Sequence, residues 1–462
     1  MQPALTRKFD QYLTVHENGH LLFDGWDTVE LANQYGTPLF VYSERAIRDN
    51  FRALHSAFEK SGYPKYHIAF GSKANPNLAI IKILQLEGCY IDFVGPGEMY
   101  AALKAGVDPS HLIFNGNNKS EDQLADAIEV GVGYVNVDCY DELNIINTIA
   151  GKLGKIAKVN IRLKLGYREQ SKWDPVLAVK LRKRKFGIDV PSGVALRTVK
   201  KALQLKNVRL VGFSHHVGWS YGEPDNSSEA HLRRFKNWAE EVVEFMSLVK
   251  KELEFEASLL DFGGGLSVAR REGYGLKRQT TRSPSVDEYV RTHTSTVTEK
   301  CEQYNLEKPT ICTETGRYMV QNAGILLSRV GRVKEDPQGK WVGIDASTSD
   351  LIYILTHNFY YHIVSANKLN VEQRETVDIV GPICGAYDVL SGGLEIQKLE
   401  AGDLVAIFDV GAYCESKLCR FGARPWPASV LMSEAGPEII RKRETVQDMY
   451  STQEIPKRLF EM

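Results

Sequence analysis

The chain has 462 residues, 43% hydrophobic and 25% charged, and its 57 Lys and Arg against 58 Asp and Glu leave a net charge of −1. That balance provides no bulk charge for a nucleic-acid or membrane-surface role, and no apolar run approaches the roughly 20 residues that cross a bilayer. Seven scattered cysteines without a CxxC pair read as reduced thiols of a cytoplasmic protein without a structural metal, and the start, MQPALTRKFDQYLTV, lacks the apolar stretch of a signal peptide. Residues 1–36 hold one candidate hairpin, Gly19–Gly25, and are expected to pack with the C-terminal part. From 37 to 322, short apolar or β-branched runs recur at His67–Ala74, Tyr90–Gly95, Leu112–Gly116, Tyr134–Asp138, Lys158–Leu163, Arg209–Val217, Leu259–Gly265 and Thr310–Gly316. Between them lie stretches with helical spacing, among them Asn77–Leu86, Gly97–Ala105, Ser120–Glu129, Asp141–Leu153, Val194–Leu203 and His231–Leu253. About eight strands alternating with helices predict a (β/α)8 barrel, with an open doubly wound sheet as the second choice. From 323 to 462 strand-like runs follow one another (Gly324–Val333, Lys340–Asp345, Val377–Gly381, Leu404–Phe408, Ser429–Ser433, Glu438–Arg443), separated by turn-rich stretches such as Glu335–Gly339 and Ser391–Gly393. They predict a second, all-β domain.

The polar singletons cluster at the C-terminal ends of the predicted barrel strands, the face on which such barrels carry their chemistry. Lys73 ends the first, in AFGSKANPN; a lysine there is poorly placed as a buried ammonium and well placed as an amine that forms an imine. Asp261 and the glycines Gly263, Gly264 and Gly265 end the seventh, where backbone N–H groups can approach an anion closely. Glu314, in TETGR at the eighth, is a carboxylate that can pair with a protonated ring nitrogen, and Arg317 follows three residues on. His215 and His216 in GFSHHVGW face opposite ways on a strand, so they are poor joint metal ligands. Each feature alone has a plain structural reading: a surface lysine, a tight turn, a salt-bridged glutamate, a packed histidine. Their recurrence at one face is what points to a site.

The ordered motifs SKANPNLAIIKIL, YIDFVGPGEMYAALKAG, IFNGNNKSEDQL, NVDCYDEL, KFGI (Lys185–Ile188), GFSHHVGW, LLDFGGGLSV, TETGRYMV, GPICGAYDVL and FDVGAYCES cover nearly the whole chain. In them the sequence resembles the fold-type III pyridoxal-phosphate decarboxylases, which act on diaminopimelate, ornithine, lysine and arginine. The resemblance implies an alanine-racemase-like barrel with a β domain, a homodimer with shared active sites, and pyridoxal 5'-phosphate as cofactor. It implies that Lys73 forms the imine and Asp92 lies beside the cofactor. His216 would stack on the ring and Glu314 would pair with its nitrogen. Gly263, Gly264, Gly265 and Tyr413 would hold the phosphate, helped by Arg317. Cys384 would reach in from the partner subunit as proton donor, with Asp388 beside it. Arg317, Tyr353, His357, Asp388 and Tyr413 are the expected substrate contacts.

The departures concern the substrate. Where the family has Cys-Glu-Ser-Gly-Asp, the chain reads Cys384-Gly385-Ala386-Tyr387-Asp388. Where diaminopimelate enzymes resemble DLIRPALY, it reads DLIYILTH, so Tyr353 and His357 stand for the arginine and tyrosine that hold the distal carboxylate. A tyrosine cannot make the bidentate clamp of an arginine. Trp219 replaces a phosphate-side serine, and NFYYHIVSANKLN and IIRKRETVQDM resemble the branch containing D-ornithine/D-lysine decarboxylases. The expected substrate is therefore an amino acid related to lysine, ornithine or diaminopimelate whose far carboxylate is absent or derivatised, in a specialised-metabolite or toxin pathway. The alternatives are diaminopimelate decarboxylation in lysine biosynthesis and amino-acid racemisation; a ring-nitrogen glutamate in place of arginine speaks against the racemase. A non-catalytic binding relative is disfavoured by retention of Lys73, His216, Glu314 and Cys384.

Overall fold

The computed structural model describes residues 5–8, 10–165, 185–216, 227–268 and 283–460. The chain divides into two compact units: one from the first 46 residues and those from 321 onward, the other from the described residues between. Trp219 lies outside the described residues.

The second unit is a barrel of eight parallel strands: β1 Tyr66–Gly71, β2 Tyr90–Phe93, β3 Leu112–Phe114, β4 Tyr134–Val137, β5 Ala157–Lys164, β6 Val208–Ser214, β7 Leu259–Asp261 and β8 Thr310–Glu314. Each pairs with the next, and β8 pairs with β1 to close the ring. Helices follow the strands: α1 Leu78–Leu86, α2 Pro96–Lys104, α3 Glu121–Val130, α4 Glu142–Lys152, α5 Val194–Gln204, α6 Ser228–Leu253 and α7 Val286–Gln303. With helices outside and side chains filling the inside, strand residues are buried on both faces. That is why Leu112–Phe114 and Tyr134–Val137 read as unbroken runs with every residue buried. Polar caps start the helices. Asn77 Oδ1 accepts from the Ala79 N–H at 3.0 Å, and Ser120 with Gln123 forms a reciprocal box at 3.1 and 3.2 Å, each cap contributing about 1 kcal/mol. At α5 the Pro191-Ser192 signal is displaced: Gly193, in a left-handed conformation, is the cap and lends no side-chain bond.

Lys119, just before α3, shows why a buried charge needs company. Its side chain is 1% exposed. The ammonium donates to the Gly116 and Asn136 carbonyls at 2.7 and 2.8 Å and to Glu142 Oε1 at 2.7 Å. Glu142 Oε2 accepts from the Asp138 N–H at 2.8 Å, and Asp138 Oδ1 from the Gly187 N–H at 2.8 Å. One cation thus ties the ends of β3 and β4 to α4 and to the loop at Gly187. Lys119→Ala is expected to destabilise the fold by about 3–5 kcal/mol, because it strands Glu142 as a buried anion. Chemical unfolding checks this, and a loss below about 1 kcal/mol would refute the buried-pair account.

The other unit is built on nine strands. Their order is Val389–Gln397, Arg374–Val380, Gly339–Ile344, Gly324–Asp336, Leu39–Ser43, Ala428–Ser433 and Gly436–Arg441, with Leu404–Phe408 joining Gly324–Asp336 to Ile363–Ser365. Two expectations are corrected. Leu39–Ser43 is not barrel material: it pairs with Gly324–Asp336 and with Ala428–Ser433, so the boundary at 37 falls too early. Ser391–Gly393 is not a turn but lies within Val389–Gln397, where Gly393 at φ 61° interrupts an otherwise extended run. The first residues form a four-stranded sheet containing Leu13–His16 and Leu21–Phe23, with separate turns at Gly19 and at Asp24-Gly25. The Leu21 N–H of this segment donates to the Ala366 carbonyl at 2.8 Å, and the Leu369 N–H to that of Gly19 at 2.9 Å.

Candidate active site

Lys73 sits on a single 3-10 turn, Ser72–Ala74, immediately after β1. Its ammonium is paired with Asp92 at the end of β2. The lysine side chain is 39% exposed and that of Asp92 fully buried. The side chain is therefore partly open to solvent and has a carboxylate partner, where the sequence suggested a lysine enclosed by burial. It opens on a cavity of about 640 Å³ lined also by Asn115, Arg162, Phe186, His216, Trp238 and Glu314. Phe186 is flanked by two cations, with the Arg162 guanidinium 4.4 Å and the Lys185 ammonium 4.8 Å from its ring centroid.

Beneath Lys73 the barrel interior is polar. Asn115 Nδ2 donates to Asp92 Oδ1 and to Glu314 Oε1, both at 2.6 Å. Asn136 Nδ2 donates to Asn115 Oδ1 at 2.8 Å and to Asp261 Oδ2 at 3.3 Å, and the Tyr134 hydroxyl donates to the same oxygen at 3.1 Å. Three carboxylates, Asp92, Asp261 and Glu314, thus share one buried volume. Burial pushes Glu314 well above the usual carboxylate range, and the neighbouring Asp261 and Asp92 push it further. Burial likewise raises Asp261, whose carboxyl is hydrogen-bonded to that of Glu314. The pair holds one proton between them, since two adjacent anions without solvent cannot both persist.

The glycines after β7 divide their work. The Gly263 N–H is taken by Asp261 Oδ1 at 2.8 Å and its carbonyl by the Glu314 N–H at 2.7 Å. The Gly264 and Gly265 N–H groups have no acceptor among the described residues. Gly263 has φ 62°, and a Cβ there would stand 2.8 Å from the His215 carbonyl and from the His216 ring; one at Gly264 would stand 2.7 Å from the Glu314 carbonyl. No side chain fits at either, so the segment is bare backbone with two N–H donors unused among the described residues, the kind of surface a phosphate requires.

The histidines separate as strand alternation demands. His216 lines the cavity. His215 packs away from it, edge-on to Trp238 and Phe262 at 5.6 and 5.2 Å, and burial pushes it down to about 3, so it is neutral. Arg317 is buried at the start of the short helix Arg317–Val320. These residues fit pyridoxal phosphate: an amine at the mouth, a carboxyl at the far wall, a flat imidazole beside the glycines, and free N–H donors. Asn115, Asn136 and Arg162 were not singled out in the sequence; nothing in their local pattern separates them from ordinary strand residues.

In the β unit, the Tyr353 ring lies 4.2 Å from that of His357 and 5.4 Å from that of Tyr413, centroid to centroid. Tyr413 itself takes φ 60°. The Lys417 ammonium stands 4.4 Å from the Tyr353 centroid and 5.9 Å from that of Tyr413. Cys384 is exposed. Asp388 has a task the sequence did not suggest. Its Oδ1 accepts from the Thr348 N–H and hydroxyl at 2.8 and 2.9 Å, and its Oδ2 from the Ile383 N–H at 3.0 Å. The carboxylate shapes the Cys384 loop from within.

Residues 44–321 match the model of the pyridoxal-dependent decarboxylase family, pyridoxal binding domain. The diaminopimelate decarboxylase of Methanocaldococcus jannaschii is 34% identical over 96% of this chain and 97% of its own, and that of Methanothermobacter thermautotrophicus 34% over 97% and 98%. The crystal structure of the M. jannaschii enzyme in complex with L-lysine superposes with a TM-score of 0.88 at 33% identity, covering 97% of this chain and 99% of that one. With the closed barrel, the strand-end lysine and the paired carboxyls already in place, the chain belongs to the pyridoxal-dependent decarboxylases and is an amino-acid carboxy-lyase that uses pyridoxal 5'-phosphate.

Proposed function

We propose that the substrate is meso-diaminopimelate, which reverses the order in which the sequence departures placed the candidates. The supporting observation is the 34% identity to a diaminopimelate decarboxylase along 96% of the chain. The lost arginine weighs less once Lys417 is seen over the Tyr353 ring at 4.4 Å. An ammonium on an aromatic patch is a second way to meet a carboxylate, though without an arginine's bidentate geometry. A substrate with a neutral or amine far end is the second reading, favoured by Tyr353 and His357. The retained glutamate, Glu314, continues to speak against racemisation.

In this reading the bound cofactor supplies an electron sink for the carbon that loses carbon dioxide. The chain's residues do the rest. Lys73 yields its proton to become the attaching amine, and Asp92 is positioned to steady the ammonium before and after. Gly264 and Gly265 would donate to the phosphate. Glu314 would present its carboxyl to the ring nitrogen, with Asp261 beside it. Val94, Leu163, Leu165, Phe186 and Trp238 line the cavity and keep water from the reacting carbon. Cys384 of the partner in a cytoplasmic homodimer returns a proton.

A carbon-dioxide assay across meso-diaminopimelate, L- and D-lysine, L- and D-ornithine and their acylated derivatives tests the substrate. Diaminopimelate is expected to lead by about a hundredfold in kcat/KM, and Lys417→Ala to lower its kcat/KM about tenfold while leaving lysine turnover unchanged. Faster release from an acylated or amine-ended substrate would return the enzyme to a specialised pathway.

A further inference from the structure

The barrel has a second cavity, of about 450 Å³, at the opposite end of its strands from Lys73. The six-residue strand β1 separates them by about 20 Å at the usual rise per residue. The second cavity's apolar lining is Tyr134, Leu259, Val211 and Ala257, of which Tyr134 and Leu259 belong to the buried layer they form with Ala69, Ile113 and Cys312. One wall is a stack of flat rings: His67 on Tyr90 at 4.4 Å and 15°, and Tyr90 on His111 at 4.2 Å and 28°. His67 Nδ1 is buried without a hydrogen-bond partner. Burial, with His111 adding to it, lowers the imidazole's proton affinity and leaves it neutral.

The rim is cationic. Lys65, Lys158 and Lys308 line the opening against a single carboxylate among the described lining residues, Glu307. Lys308 is paired with Glu302 at 3.0 Å. Lys65 and Lys158 are exposed and make no ion pair among the described residues. An unmet buried nitrogen is costly, and pockets of this size with an apolar lining and a few converging polar groups are the usual form of small-molecule sites.

We propose that this lower cavity binds an organic anion with a flat aromatic body, its ring against the His67–Tyr90–His111 stack and its carboxylate between Lys65 and Lys158. A bare oxyanion would leave the apolar lining uncovered and the stack unused. A cationic amino acid would meet three lysines. A neutral ring would forgo the rim. Among the described residues the two cavities share no lining residue; only Tyr134, whose hydroxyl donates to Asp261, also touches the catalytic network.

The test uses the holoenzyme after borohydride reduction, which keeps the catalytic cavity filled. Calorimetry and saturation-transfer NMR with 2-naphthoate are expected to show one site per chain with Kd of about 1 mM or tighter. Neutral 2-naphthamide should bind at least about tenfold more weakly. The Lys65→Glu/Lys158→Glu double variant, altered only at exposed positions, should decarboxylate normally when unreduced and bind naphthoate about tenfold more weakly. No binding up to about 10 mM, equal binding of the amide, or equal binding by the double variant would each overturn the proposal.

Discussion

Lys73→Ala is expected to abolish turnover, by at least about a thousandfold in kcat, and to remove the visible absorbance of the bound cofactor. The lysine stands at the cavity mouth, paired with a fully buried Asp92. Removing it takes away both the attaching amine and the counter-ion of that aspartate. Lys73→Arg separates the two roles, since it keeps a cation beside Asp92 but cannot form an imine. It should be as inactive as alanine and more stable to unfolding. The same variant tests the assembly. Mixed with inactive Cys384→Ala under conditions where subunits exchange, it should recover part of the activity, because one of the two sites in a hybrid dimer has both its own lysine and its partner's cysteine. A Lys73→Ala enzyme with near-normal rate would remove Lys73 from the chemistry. Confirmed exchange without recovery would remove Cys384 of the partner.

Glu314→Gln is expected to slow decarboxylation by about 30- to 5,000-fold, equivalent to roughly 2–5 kcal/mol, while leaving the cofactor bound. The amide oxygen can still accept from Asn115, as Glu314 Oε1 does at 2.6 Å, and the amide nitrogen can donate to Asp261, so the buried network keeps its bonds. What is lost is the carboxyl whose negative charge a protonated ring nitrogen would draw out. Phosphate anchoring depends on Gly264 and Gly265 and should not change. An unaltered kcat would show that Glu314 does not carry that charge, whereas loss of cofactor would show that the substitution had broken the network.

The eight barrel strands were legible because most of their residues are buried and turn residues bound them. Several ran too long on paper. His67–Ala74 stops as a strand at Gly71, since the chain turns there to deliver Lys73. The helix Val286–Gln303 was missed because its inner face is built partly from Thr294, Thr296 and His293, all buried, so its polar letters hide the period. Lys73, His216, the glycines and Glu314 were readable as strand-end singletons. Asn115 and Asn136 were not: each is one amide in a short strand, and its part in the carboxyl network exists only once the ring closes. The order of candidate substrates proposed above differs, for a related reason, from the one the departures suggest. The loss of an arginine is visible at Tyr353, whereas the cation that stands over its ring is 64 positions away and in an unrelated motif.

The strand Leu39–Ser43 has a bearing on how the protein is made. It is buried along its whole length between Gly324–Asp336 and Ala428–Ser433. Neither neighbour exists when it leaves the ribosome. At synthesis rates of about 5–20 residues per second the second arrives roughly 20–80 s later. Until Gly324–Asp336 emerges both edges of this apolar strand are open, and until Ala428–Ser433 emerges one still is, so it must be kept from other chains. All barrel residues emerge inside the same interval, as an insertion between the halves of one sheet. A nascent chain paused before residue 428 therefore has its entire barrel outside the ribosome and, upstream of it, an unsheltered strand, and this is the stage at which the polypeptide is most exposed to mispairing and most dependent on a chaperone.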